Sequence, residues 1–239
     1  MQKSIVAALY LSASVAFAAS GELDPKPASS ATLAAQARML ATLPADNGGD
    51  EDFVRRGFVA TPTETKIFNQ DGKLVWDIAK MEWVKGDPPP TVNPSLWRQM
   101  RLLKEHGLFK VAEGVWQVRG LDMSNMMIVA GKTGWIIIDP LMTIETAAAA
   151  VKLVNDSLGT RPVSAIIYGH SHADHFGGVR AVITAGTTPP IYAPERLVDE
   201  AVSETVLAGN AMARRAATQL GLSLPDNPQG YVGSGILIA

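Results

Sequence analysis

The run His170-Ser171-His172-Ala173-Asp174-His175 holds three of the chain's four histidines and a carboxylate within six consecutive residues. Such side chains act together only if the backbone makes them converge, so this run constrains the fold around it. In an extended segment His170 and His172 project to the same side about 6.5–7 Å apart, and two imidazoles can then meet on one divalent ion. A turn at Ala173 would aim Asp174 and His175 elsewhere, toward a second ion roughly 3.5–4 Å from the first, the spacing of two-metal hydrolases. Nitrogen and oxygen donors with no cysteine favour zinc, and the same ligand logic admits manganese or iron.

The flanks give the run a place in a fold. Val163 to Tyr168 is a short apolar, β-rich stretch bounded by Arg161-Pro162 and Gly169, which predicts a buried strand. The candidate ligands leave its carboxyl end, where open α/β sheets place their chemistry. Phe176-Gly177-Gly178 permits tight turns, and a short helix is predicted over 179–185.

Upstream, apolar runs at 109–112, 115–118, 126–130 and 135–138 are separated by glycine turns and read as strands. Thr143 is placed to cap a helix over 144–158, closed by Gly159. The class is α/β, a sheet with helices packed on it. Asp139 lies at the carboxyl end of a strand, within reach of the ligand run as a carboxylate that orients a ligand histidine. It reads equally as a turn aspartate before a helix. Ser124 and Asn125 precede a strand and either face the cleft or belong to a turn.

The amino-terminal part is less regular. Lys3, the apolar stretch 5–17 and Ala16-Phe17-Ala18 form an export signal with cleavage expected after Ala18, which makes the protein exported, periplasmic or secreted. Its apolar part is too short to span a bilayer, so no membrane span is expected after its removal. A linker follows, then a helix over 31–43. Asp46 to Asp52 is read as a solvated acidic loop, since it lacks the alternating ligands of a calcium loop. Asp71-Gly72 predicts a hairpin across 66–76, and residues 86–94 an irregular connection. A helix capped by Ser95 is expected to end at Gly107, with His106 in its last turn held by the helix dipole. Toward the other end, 194–220 reads as one long helix with Gly209 a weak point. Arg214 and Arg215 lie on its polar side, as an oxyanion clamp or as solvated surface.

With 239 residues and 47% hydrophobic content, the chain can build one good-sized globular domain. A net charge of -2 gives no basic field for nucleic acid.

The order strand, Asp139, helix, strand, His-x-His-x-Asp-His resembles the amino-terminal half of the metallo-β-lactamase superfamily. RRGFVAT at 55–61, TVNPSLWRQ at 91–99, HGLFKV at 106–111, GWIIIDP at 134–140, HFGGVR at 175–180 and NAMARR at 210–215 are similar to its alkylsulfatases. Those are exported enzymes that hydrolyse long-chain alkyl sulfates such as dodecyl sulfate. The resemblance implies the amino-terminal half of an αββα sandwich, as a partial, truncated domain over 108–239 behind an extension over 19–107. It implies that His170 and His172 bind one zinc and Asp174 and His175 another. By the same resemblance Asp139 matches the superfamily's first aspartate position, Asp174 would take a catalytic role, and a bridging hydroxide would be the nucleophile or base. The small-molecule substrate would be an alkyl sulfate, its contact residues unassigned, and the assembly a homodimer.

A dinuclear site takes about three protein ligands per ion, whereas the run offers four and no histidine follows it. Glu195, Asp199, Glu200, Glu204 and Asp226 follow, mostly on one predicted helix that need not reach the ligand loop. The expectation is therefore half a site. A non-catalytic zinc-binding fragment, or a different hydrolase of the superfamily such as a β-lactamase or thioester hydrolase, are the alternatives.

Overall fold

The computed structural model describes residues 26–44 and 47–236; the expected leader at 1–18 and Asp46 lie outside the described residues. Seven strands form the main sheet, in the order β1 (Phe58–Ala60), β4 (Gly107–Ala112), β5 (Val115–Arg119), β6 (Met126–Ala130), β7 (Trp135–Ile138), β8 (Val163–Ile167) and β9 (Ile191–Tyr192). From β1 to β7 neighbours run antiparallel; β4 to β7 follow one another through short connections, whereas residues 61–106 separate β1 from β4. The chain then crosses over through helix α4 (Ile144–Leu158), and β7, β8 and β9 are parallel. Parallel neighbours need such a crossover. It puts the carboxyl ends of β7 and β8 side by side, with Asp139 N–H on Ile167 O at 3.0 Å.

Helix α4 has the predicted limits: Thr143 Oγ1 accepts from Thr146 N–H at 3.1 Å, and Gly159 turns out of the helix at φ +88°. The hairpin β2 (Lys66–Phe68) and β3 (Leu74–Asp77) packs beside α4, its loop tied by Asn69 Oδ1, which accepts from the amides of Asp71 and Lys73.

Several boundaries depart from expectation for local reasons. Helix α1 spans Ser30–Leu40 and is capped by Ser29. The acidic stretch, expected as a solvated loop, is helical from Gly49: Asp50, Glu51 and Asp52 lie in the first turn of helix α2 (Gly49–Arg55), where carboxylates favour the positive end of the helix dipole. Asn93, not Ser95, caps helix α3 (Pro94–Leu103), because its Oδ1 takes the amides of Ser95 and Leu96 and Pro94 fills the first position. Gly107 begins β4 rather than closing α3. A Cβ there would stand 2.3 Å from Ala60 O, so the pairing of β1 with β4 requires glycine. His106 therefore lies beyond the helix, its Nδ1 2.9 Å from Lys104 O. Helix α5 is only Val179–Val182.

The long helix expected over 194–220 is three pieces. Helix α6 (Leu197–Ala201) runs into a π-helical turn over Val202–Leu207, and helix α7 (Gly209–Gln219) starts after Ala208. Arg196, at φ +66°, turns the chain out of β9 ahead of α6.

One apolar core holds these parts together. It runs from Trp76, Met81 and Val84 through Trp97 and Met100 to Val118, Ile128, Ile137, Ala147, Ile166 and Val232. Trp76 Nε1–H donates to Gly120 O and Trp97 Nε1–H to Gly86 O, so both indoles are buried without losing a hydrogen bond.

Candidate metal centre

The candidate ligands sit where β7 and β8 end. After Gly169 the chain passes His170 and His172 and makes a 3-10 turn over Ala173–His175, with His175 N–H on His172 O at 3.0 Å and Gly177 N–H on Ala173 O at 2.8 Å. This turn is tighter than expected. It does not aim His175 elsewhere but brings its ring back to 4.1 Å from that of His170, while the His170 and His172 rings are 4.6 Å apart, centroid to centroid. Three imidazoles thus form one compact cluster.

The loop is seated on the turn between β7 and α4. Gly178 N–H donates to Leu141 O at 3.0 Å. A Cβ on Gly177 would stand 2.2 Å from Met142 O, and one on Gly178 2.3 Å from Pro140 O. Only glycines allow this approach. In the seat itself Asp139 and Leu141 take left-handed conformations at φ +56° and +63°, which cost non-glycine residues energy and survive only where surroundings enforce them.

Asp139 reaches across to the loop. Its Oδ1 accepts the Gly169 amide at 2.6 Å and its Oδ2 lies 2.9 Å from His175 Nδ1. A carboxylate accepts only, so in the tautomer with the proton on Nδ1 the ring donates to Asp139 and Nε2 keeps its lone pair. On that side His175 Nε2 meets Asp174 Oδ2 at 3.0 Å. His172, with its side chain 54% exposed, has its Nε2 3.2 Å from Glu204 Oε2 on the π-helical turn.

Three imidazoles and neighbouring carboxylates suit a divalent ion of borderline softness. Asp139, Gly169 and the glycine seat hold His175 and its loop in place for one. Among the described residues, no three such side chains stand in a ready-made coordination arrangement, because the donors are spent on each other in pairs.

Two residues escaped the sequence reading. Glu204 was expected to lie on a helix that need not reach the loop, but it stands in the π-helical turn beside His172. Asp122 is only 2% exposed. Its Oδ1 accepts from Met123 N–H at 2.6 Å, and its Oδ2 from Met142 N–H at 3.1 Å and from the Thr146 hydroxyl. Burial raises its pKa above the usual carboxylate value, partly offset by these donors. Asp122 thereby ties the loop before β6 to the turn that seats the ligands. Ser124 joins the same contact, its hydroxyl donating to Asp174 O, whereas Asn125, Arg214 and Arg215 are exposed.

Residues 119–211 match the Metallo-beta-lactamase superfamily. Over 217 residues the chain is 44% identical to a linear primary-alkylsulfatase of Pseudomonas sp., covering 88% of this chain and 32% of that protein. It is 41% identical to an (R)-specific secondary-alkylsulfatase of Pseudomonas sp. over 91% of this chain and 34% of that protein. The solved structure of a stereoselective inverting sec-alkylsulfatase from Pseudomonas sp. superposes with a TM-score of 0.80 at 42% identity, covering 90% of this chain and 34% of the other. The chain spans about a third of the length of these relatives.

Proposed function

We propose, from the premise that this chain is an alkylsulfatase-type sequence of the metallo-β-lactamase superfamily, that it serves zinc-dependent hydrolysis of long-chain primary alkyl sulfates such as dodecyl sulfate. The observation that carries the reading is the compact cluster of His170, His172 and His175, with Asp174 beside it and Asp139 behind it, at the carboxyl ends of two parallel strands.

In this reading His170 and His172 hold one zinc ion, and Asp174 and His175 hold a second. When bound, the ions supply Lewis-acid polarisation of the ester and lower the pKa of water at the site. The chain's own groups do the rest. Asp139 keeps the proton on His175 Nδ1 and so presents Nε2 as a ligand. Asp174, its carbonyl held by Ser124, would accept a proton from water as its hydroxyl adds and the ester's C–O or S–O bond breaks, and then return that proton, giving an alcohol and hydrogen sulfate. The signal at 1–18 exports the protein, an extension over 19–107 precedes the catalytic fold, and two copies assemble into the working dimer. Among the described residues no helix is long and apolar enough to cross a membrane.

The test uses the full chain loaded with zinc. Sulfate released from dodecyl sulfate above the blank, and lost in His172→Ala, supports hydrolysis. Two bound zinc ions without sulfate release overturn hydrolysis by this chain, and failure to bind zinc overturns the metal centre itself.

A further inference from the structure

A cavity of about 370 Å³ lies between helix α4, helix α5 and the face of the sheet that they cover, reaching the first residues of β7 and β8, Trp135 and Val163. We propose that it binds a straight-chain alkyl carboxylate, with the chain inside the cavity and the carboxylate on Arg161. The site is separate from the metal centre proposed above, whose residues follow the other ends of the same two strands.

The cavity changes character along its length. Its inner wall is apolar and dry: Met126, Ile137, Val154 and Val182 are each at most 2% exposed. At the outer end the lining is polar, and Thr160 and Thr184 are exposed while Arg161 is half-buried. A site of this size with mostly apolar walls and a few polar groups is the usual form of a small-molecule pocket. An unbranched chain suits the inner part and leaves its head group at the wet end.

Arg161 selects the head group. Its guanidinium lies over the Trp135 ring at 4.6 Å, and one N–H donates to Gly131 O at 2.6 Å. Those contacts hold the side chain in place but use few of its five donors. Among the described residues no carboxylate pairs with it, so an anion with two coplanar oxygens fits its planar fork. Trp135 itself is 5% exposed, and its Nε1–H has no hydrogen-bond partner, unlike the indoles of Trp76 and Trp97. A buried donor without an acceptor is costly, and an oxygen of a bound molecule beside the ring would supply one.

Calorimetric titration of the full chain with octanoate, nonanoate and decanoate, each below its micelle concentration, tests the site. One molecule is expected to bind per chain, with affinity rising up to about fourfold per added methylene. Loss of the charge in Arg161→Gln is expected to weaken decanoate about tenfold, and 1-decanol is expected to bind the parent about tenfold less tightly than decanoate. Ala181→Leu adds volume to the cavity wall and is expected to weaken decanoate tenfold or more, roughly the loss of two buried methylenes. Arg161→Gln, at the outer end, keeps the test decisive if Ala181→Leu does not fold. Zinc is expected to leave the decanoate affinity unchanged. Binding that appears only with zinc would put the carboxylate at the histidine cluster and overturn the proposal. Absence of binding by all three carboxylates, or decanoate affinities equal to the parent's in both variants, would overturn it too. Decanol binding as tightly as decanoate would overturn the role of Arg161 and with it the choice of a carboxylate.

Discussion

Asp139 Oδ2 and His175 Nδ1 meet at 2.9 Å, so the residue just past one strand fixes the ring orientation of a ligand candidate in the loop after the next strand. Loss of such an orienting carboxylate typically lowers metal affinity 10–100-fold. Asp139→Asn removes the charge but keeps an oxygen acceptor, whereas Asp139→Ala also leaves the Gly169 amide without its partner. Zinc affinity is expected to fall by about one order of magnitude in the first and further in the second. Chelator competition measures this, and affinities equal to the parent's in both variants would reduce the Asp139 contact to a structural tie.

The seat of the ligand loop predicts a sharp contrast among glycines. A methyl at Gly178 would stand 2.3 Å from Pro140 O and 2.6 Å from both Thr143 O and Ala147 Cβ, with backbone on two sides that cannot yield cheaply. Gly178→Ala is expected to cost about 1–3 kcal/mol or more. At Gly209 no atom lies within 4 Å of an added Cβ, and that residue is helical. Gly209→Ala is expected to be neutral or to stabilise by up to about 1 kcal/mol. Urea midpoints compare the two, and equal effects would mean the loop is not held against the Pro140–Thr143 turn.

The sequence was legible where structure is local. Strands β4 to β8 and α4 were readable because apolar runs, glycine turns and the Thr143 cap lie close together along the chain, and the ligand run was readable because it is six consecutive residues. The remainder depends on distant partners. Strand β1 is three residues long with Phe58 exposed, and it exists because it pairs with β4, where Phe58 meets Phe109 edge to face at 5.5 Å. The π-helical turn leaves no mark in apolar spacing, so Glu204 was placed on a plain helix. Asp122 looks like any turn aspartate until the fold buries it under Met142 and Thr146.

Asp122 also predicts a pH dependence. Burial raises its pKa in the folded state, so the native protein binds more protons than the unfolded chain between the ordinary carboxylate pKa of about 3.9 and the raised value. Its contribution to stability is then fully present below that ordinary value and lost as pH rises through the folded one. Other carboxylates titrate nearby, so the parent is compared with Asp122→Asn, which does not titrate. The stability difference between the two is expected to shift in favour of Asp122→Asn as pH rises from about 3.5 through the raised value. Urea midpoints at a series of pH values measure it, and a difference independent of pH would show that Asp122 has the same affinity for protons folded and unfolded.

Met100, 1% exposed on α3, tests whether the segments before β4 share one cooperative core with the sheet that carries the ligands. It packs among residues of both, and the segment near Gly233 comes so close that a Cβ there would stand 2.2 Å from Met100 Sδ. Met100→Ala leaves a cavity between these parts and is expected to destabilise by about 2–5 kcal/mol. Met100→Leu roughly preserves volume and is expected to cost less than about 1.5 kcal/mol. In a single cooperative unit, the alanine variant shifts the urea transitions seen by tryptophan fluorescence and by far-UV circular dichroism together, at an unchanged slope. Transitions that separate in the variant would mean that α3 and its neighbours unfold apart from the sheet. The core continuity between Trp97 and Ile137 would then be contact without cooperativity.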